Sequence, residues 1–174
     1  MNELVVRMKN TSELSDIEVS NLIALKQQYW NYSDDEQKEW LITNIRQDDN
    51  HLLIYRGGVL IAYLNAVNVE VNINQSMHRM LGIGNVCVDK NETHTGVGGI
   101  LITCINSFIK KSNTPGILLC REKLIPFYKA YNWSEVRPET VIINDSLFDH
   151  IIMVFDPEKQ VSSFSGTISL DRSF

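Results

Sequence analysis

Apolar and polar positions along the chain follow two different periods. Alternation, or a short apolar run, predicts a β-strand, whereas apolar residues three or four positions apart predict an amphipathic helix. Strands are expected over residues 4–8, 51–55, 59–73, 77–88, 117–120, 140–144, 150–155 and 164–170. Helices are expected over 12–29, from the Ser33–Glu36 capping box to Ile45, from the glycines at 96–99 to Lys111, and around Phe127 and Tyr128.

Glycine and asparagine mark the connections between the central strands. Gly57-Gly58 is typical of a two-residue hairpin, and the Asn-rich segment 72–76 predicts a second turn. Gly82 and Gly84 interrupt the strand that follows. Glycine in a strand indicates either a bulge or a close approach by another group, or it serves plain sheet curvature, and the sequence leaves these alternatives open.

Length and charge narrow the class of protein. A chain of 174 residues with 44% hydrophobic and 21% charged residues is typical of one globular domain, here spanning residues 1–174. The net charge is −5, and Lys and Arg form no block. Nucleic acid is therefore not expected as a partner, because binding it depends on clustered cations.

Three cysteines, Cys87, Cys104 and Cys120, lie in apolar surroundings without metal-ligand spacing. We expect buried free thiols, no metal, and a reducing cytoplasmic location. The first nine residues lack the pattern of a signal peptide, and no apolar run approaches 18 residues, so no membrane span is expected.

The segment VCVDKNETHTGVGGILI, residues 86–102, carries the strongest functional signal. It reads as a strand, a polar turn and a helix, with Gly96, Gly98 and Gly99 at the start of the helix. Glycines leave the backbone N–H groups of a helix N-terminus open to an anion, so a phosphate group is expected here. A close-packed strand-to-helix connection is the alternative. Neither the P-loop nor the Rossmann spacing is present, which argues against nucleotide hydrolysis.

Two motifs resemble those of the GNAT acyl-CoA N-acyltransferase superfamily. Thr93-His94-Thr95-Gly96-Val97-Gly98 after Val88-Asp89 is similar to its motif A, with Thr93 where the family usually has Gln or Arg. Residues 119–133 are similar to motif B, with Asn132 in place of the usual Gly. Asn is the next best residue for the left-handed backbone that ends a helix. The sequence of residues 120–133 most resembles the corresponding segment of aminoglycoside 2′-N-acetyltransferases and arylalkylamine N-acetyltransferases.

The resemblance implies a mixed α/β fold with a central, mostly antiparallel sheet and helices on both faces. It also implies acetyl transfer from acetyl-CoA to an amine. The acidic balance of the chain, with the aromatic and acidic side chains named below, suggests a small cationic acceptor. Tyr128 would protonate the departing thiolate. The cofactor would contact Val86, Cys87, Val88, Thr93, His94, Thr95, Gly96, Val97, Gly98 and Gly99.

The resemblance does not supply a general base, because the strand positions that often carry Glu are Ile83, Gly84 and Asn85. Other candidates, each more often structural, are Glu70, His78, His94 and Asp149, and transfer through ordered water is an alternative. The aromatic residues Tyr29, Trp30 and Tyr32 could pack in the core, or they could form a wall of the substrate pocket. In the second case the carboxylates of Asp145, Asp149 and Asp171 could supply its acidic groups. A protein or peptide N-acetyltransferase, a non-catalytic acyl-CoA-binding module, and a homodimer also remain possible on the sequence.

Overall fold

The computed structural model describes residues 3–147 and 151–174, which form four α-helices and ten strands in two compact units. The helices are α1 (Asp16–Gln27), α2 (Asp34–Asn44), α3 (Val97–Ser112) and α4 (Ile125–Lys129). The strands are β1 (Leu4–Asn10), β2 (Asn50–Arg56), β3 (Val59–Ile73), β4 (Ser76–Val88), β5 (Gly116–Cys120), β6 (Ser134–Val136), β7 (Thr140–Ile143), β8 (Ser146–Leu147), β9 (Ile151–Phe155) and β10 (Thr167–Leu170). Asp149 and the first residue of the predicted strand 150–155 lie outside the described residues.

The first unit comprises residues 3–67, 84–104 and 174. In it, β1 is antiparallel to β2, and β2 is antiparallel to β3. Ser15 and Ser33 begin α1 and α2, each with a complete capping box that satisfies otherwise unpaired N–H groups. A core cluster joins α1 to the strands through Leu22, Ile23, Leu25, Leu53, Tyr55, Leu60, Tyr63 and Cys87.

The second unit comprises residues 68–83 and 105–173. Its strand order is β6-β9-β5-β4-β3-β10-β7-β8. β5 runs parallel to β4, and β10 runs parallel to β7. The pairs β9–β5, β9–β6, β10–β3 and β8–β7 are antiparallel. The predicted mixed α/β fold with a mostly antiparallel sheet is thereby confirmed, whereas a single domain over 1–174 stays a prediction.

Two expectations about the strands need correction. The pattern did not predict β6 or β8, which have three and two residues, and strands this short carry no readable alternation. The closing strand begins at Thr167 rather than at residue 164.

The irregularity near the end of β4 combines a left-handed residue with a close approach of another part of the chain. The left-handed backbone falls on Asn85, with φ of 51°, and not on Gly82 or Gly84. Gly84 instead marks a close approach, because a Cβ built there would lie 2.6 Å from the carbonyl oxygen of Phe174. None of the helices in the described ranges has the length and apolarity that crossing a bilayer requires.

Candidate active site

The loop between β4 and α3 is a braced turn. A short 3-10 turn, Lys90–Glu92, follows Asp89, whose carboxylate accepts hydrogen bonds from the Asn91 N–H and from Gln28 Nε2, both at 2.8 Å. The Gln28 hydrogen bond, followed by that of Asn91, lowers the pKa of Asp89. Gln28 Oε1 also accepts the Lys90 N–H at 2.9 Å. The end of α1 therefore holds the entry of the loop in place.

Both threonine hydroxyls of the loop are used internally. Thr93 Oγ1 donates to the Lys90 carbonyl at 2.8 Å, and Thr95 Oγ1 donates to the Glu92 carbonyl at 2.6 Å. Each hydroxyl proton is thus committed to the turn that precedes it. What the loop offers to a ligand is its backbone.

The backbone N–H groups at the start of α3 are unpaired. Ile100 N–H donates to the Gly96 carbonyl at 3.1 Å, which makes this the first helical hydrogen bond. Within residues 3–147 and 151–174, no acceptor bonds the N–H groups of Gly96, Val97, Gly98 or Gly99. Gly96 has φ of 90°, and a Cβ built on it would meet nothing within 4 Å. Unpaired N–H groups with open space beside them are suited to an anion.

The charges around the loop favour an anion as well. The carboxylate of Glu92 is paired with Arg56, its Oε1 lying 3.2 Å from Arg56 Nε. The first turn of α3 contains no acidic residue. The macrodipole adds a partial positive charge at the helix start. A diphosphate would therefore meet little repulsion from this loop.

The end of β4 lies beside the loop. The Val88 carbonyl accepts the hydroxyl of Tyr29, and the Asp89 N–H donates to the Ile61 carbonyl at 2.7 Å. Val86 and Val88 are half-buried. Cys87 is buried, and burial raises the pKa of its thiol to about 12, so it stays protonated at neutral pH. Cys120 is buried too, whereas Cys104 is only half-buried, contrary to expectation.

Tyr128 lies in the second unit, on α4, and is buried. Its ring packs against Phe127 and Trp133, with centroid separations of 5.2 and 6.3 Å. Burial, and secondarily Cys120, raises the pKa of Tyr128 well above its usual value, so the phenol keeps its proton. Asn132 has the predicted left-handed backbone, with φ of 65°.

Asn106 of α3 fixes the segment that carries Tyr128. Its Oδ1 accepts Trp133 Nε1 at 2.8 Å, and its Nδ2 donates to the Tyr131 carbonyl at 2.9 Å. The Trp133 N–H donates to the Tyr128 carbonyl at 3.2 Å. These contacts hold α4 and the turn that ends it in one conformation.

The aromatic connection after α1 divides into two parts. Trp30 packs against the core cluster, whereas Tyr29 and Tyr32 are 46% and 58% exposed. Packing alone therefore explains only Trp30. Asp171 does not offer a free carboxylate either, because its Oδ1 accepts the backbone N–H of Glu70 at 2.9 Å.

Sequence reasoning missed two residues that shape the loop, Gln28 and Arg56. Both act from more than 30 positions away along the chain, and no local spacing signals such contacts. No group of three or more potential metal ligands occurs in the part of the chain that the structure describes.

Comparison with known proteins gives a consistent result. A family model described as an acetyltransferase (GNAT) domain matches residues 10–136. An acyl-CoA N-acyltransferase from Pseudomonas aeruginosa is 22% identical, covers 87% of this chain and 99% of its own, and has a TM-score of 0.66. Escherichia coli ElaA is 19% identical with the same coverage and a TM-score of 0.64. No curated protein matches the sequence.

A third structure contains a ligand. The N-acetyltransferase YhbS from Escherichia coli, solved in complex with CoA, is 13% identical, covers 98% of this chain and 91% of its own, and has a TM-score of 0.69. At these identities the solved structures show a shared fold.

Proposed function

Because the chain belongs to the GNAT acetyltransferase family and is an acyltransferase of that type, we propose that it transfers acetyl from acetyl-CoA to a small cationic amine. Members of the family use acyl-CoA as the acyl donor. Three points are proposals: that the acyl group is acetyl, that the acceptor is a small cationic amine, and that the residues named below form the site.

The unpaired N–H groups at the start of α3 carry the proposal. An acyl-CoA presents a diphosphate, and Gly96, Val97, Gly98 and Gly99 present donors with no competing acceptor. His94 lies two residues before Gly96, with φ of 64° and an exposed side chain. We assign the diphosphate to this loop, with Val86, Cys87, Val88, Thr93 and Thr95 as its flanking contacts.

The reaction needs a neutral amine, a polarised carbonyl and a proton for the leaving group. The amine nitrogen forms a bond to the acetyl carbon, the carbon–sulfur bond breaks, and CoA leaves as a thiolate. Backbone N–H groups near Cys87 and Val88 are proposed to stabilise the developing oxyanion. Tyr128 is proposed to protonate the thiolate because it matches the tyrosine of motif B. Its raised pKa keeps the phenol protonated before the reaction and also makes it a weaker acid than free tyrosine.

The acceptor is proposed to be a cation with apolar carbon around it. Tyr29 and Tyr32 expose ring surface, and aromatic faces attract ammonium groups. The net charge of −5 favours approach of a cation. Aminoglycosides, polyamines and arylalkylamines share this chemistry.

A defined panel tests the proposal. Kanamycin, spermidine, tryptamine and a lysine-containing peptide are each incubated with the protein and acetyl-CoA, and released thiol and acetylated product are measured. Turnover of a small amine is expected. Turnover of the peptide alone would identify a peptide N-acetyltransferase, and CoA binding without turnover would identify a binding module.

A further inference from the structure

Two carboxamides in the first unit pair with each other. Asn85 Nδ2 on β4 donates to Asn65 Oδ1 on β3 at 2.7 Å. Asn65 is wholly buried, whereas Asn85 is half-buried and so has one side open. Asn65 Nδ2 has no hydrogen-bond partner among the described residues. Native proteins leave few buried donors unpaired, so a retained one calls for a reason other than stability.

The pair is packed tightly on its inner side. Between the two asparagines lies Gly84, where a built Cβ would lie 3.2 Å from Asn65 Oδ1 and 2.6 Å from the Phe174 carbonyl oxygen. No side chain fits there without movement of the backbone at residue 174. Because Asn65 is buried, its carboxamide has little freedom to move, and through the hydrogen bond between them it orients that of Asn85.

The half-buried member of the pair, Asn85, lies near the end of β4. Asn85 has φ of 51°, which asparagine tolerates better than most residues. Cys87 is two residues further along β4. Asn85 Oδ1 accepts no hydrogen bond from the described residues. Asn85 thus has a carbonyl oxygen that the described residues do not use, and it lies two residues before the backbone proposed to bind the acetyl carbonyl.

We propose that Asn85 Oδ1 accepts an N–H of the acceptor amine and that Asn65 is a positioning residue for Asn85. The proposal rests on the proposed function. A neutral amine that donates one N–H to a carbonyl oxygen keeps its lone pair free to attack the acetyl carbon. The ammonium first releases one proton to water, and after attack the nitrogen releases a second one. The thiolate gains its proton from Tyr128, and the tyrosinate is reprotonated from water, so one proton is released per turnover. An amide oxygen orients the amine without stabilising its charged form as a carboxylate would.

A second buried carboxamide offers a matched control. Gln37 on α2 is buried, and its Nε2 also lacks a partner in the described ranges. Gln37→Met and Asn65→Leu each remove one unpaired buried donor while nearly keeping side-chain volume. Relief of an unpaired donor acts on stability in both variants, but only Asn65 orients Asn85.

The experiment compares Asn85→Gly, Asn85→Asp, Asn65→Leu and Gln37→Met in the full chain, with acetyl-CoA and the four-acceptor panel. Glycine suits the left-handed backbone at position 85 and removes the carboxamide without strain. Asn85→Gly and Asn65→Leu are expected to lower kcat/KM for the acceptor about tenfold, the effect of one hydrogen bond. The dissociation constant of CoA should stay within about twofold of the parent value, because these variants remove a hydrogen bond to the acceptor and none to CoA. Asn85→Asp loses the donor to Asn65 Oδ1 and adds a charge that stabilises the ammonium form, so its kcat/KM should also fall and its pH profile should shift to higher pH. Gln37→Met should retain turnover.

Three outcomes would overturn the proposal. The first is turnover by Asn85→Gly within about twofold of the parent, and the second is an equal loss in Gln37→Met, which would mark a general stability effect. If Asn65→Leu does not fold, Asn85→Gly against Gln37→Met decides alone. The third is absence of turnover by the parent with every acceptor, which would remove the proposed function and this inference with it. Turnover by the parent with unaffected variants would remove only this inference.

Discussion

Replacing Gly96 by alanine should weaken CoA binding by more than its effect on folding explains. Gly96 has φ of 90°, and its Cβ position is open for 4 Å in every direction. An alanine there causes no collision, but the left-handed backbone costs about 1–3 kcal/mol in a residue other than glycine. The same methyl group points into the open space beside the unpaired N–H groups.

The magnitude for binding follows from the charge of the ligand. A hydrogen bond to a charged group contributes about 1.5–3 kcal/mol. Loss of one such bond from the loop should therefore raise the dissociation constant of CoA about 10- to 150-fold. Thermal unfolding measures the strain, and isothermal titration calorimetry with CoA measures the affinity.

Gly58, in the turn between β2 and β3, provides the control. It has φ of 82°, and its Cβ would also meet nothing within 4 Å. Gly58→Ala should cost similar stability and leave CoA affinity unchanged. If Gly96→Ala and Gly58→Ala bind CoA equally well, the diphosphate is not bound by this loop.

Three further outcomes are expected. Tyr128→Phe should lower kcat about 10²- to 10⁴-fold in steady-state assays with little change in CoA affinity, whereas a change under about twofold would mean that another group protonates the thiolate. Burial lowers the pKa of His51 to about 4, so below pH 6.5 the unfolded chain binds a proton that the folded chain does not bind. The free energy of unfolding should therefore fall by roughly 3 kcal/mol between pH 6.5 and 4. Denaturant titrations of His51→Gln over the same pH range should not show that fall. Gly116→Ala should lower the free energy of unfolding by about 1–3 kcal/mol, because its Cβ would lie 2.6 Å from Ile109 Cδ1 and 2.8 Å from Trp133 Cη2; an unchanged value would show that both side chains can move aside.

The elements of the fold were predictable where the local signal was strong. Ser33 with Glu36 predicted the start of α2, and the structure contains that capping box in full. Asn132 was expected in the left-handed region from its place at a helix end, and it lies there. These features depend on residues within four positions of one another, so the sequence displays them directly.

The parts that escaped prediction depend on contacts between distant residues. Asn65 and Asn85 are 20 positions apart, and Arg56 reaches Glu92 across 36. Strand pairing and loop closure bring the residues of each pair together. Neither the periodicity of apolar residues nor the composition of the chain predicts such contacts. Nothing in the sequence indicated that Asn85 would have the left-handed backbone in β4, a conformation that asparagine adopts more readily than most residues.

The most direct test of the account is to follow both products of the reaction at once. Acetyl-CoA carrying a labelled acetyl group is incubated with the protein and spermidine, tryptamine or kanamycin, and free thiol and labelled amide are quantified over time. The account predicts equal amounts of thiol and amide with at least one of these amines, and loss of both in Gly96→Ala at low acetyl-CoA. Thiol release without labelled amide, or no reaction with any of the three, would contradict it.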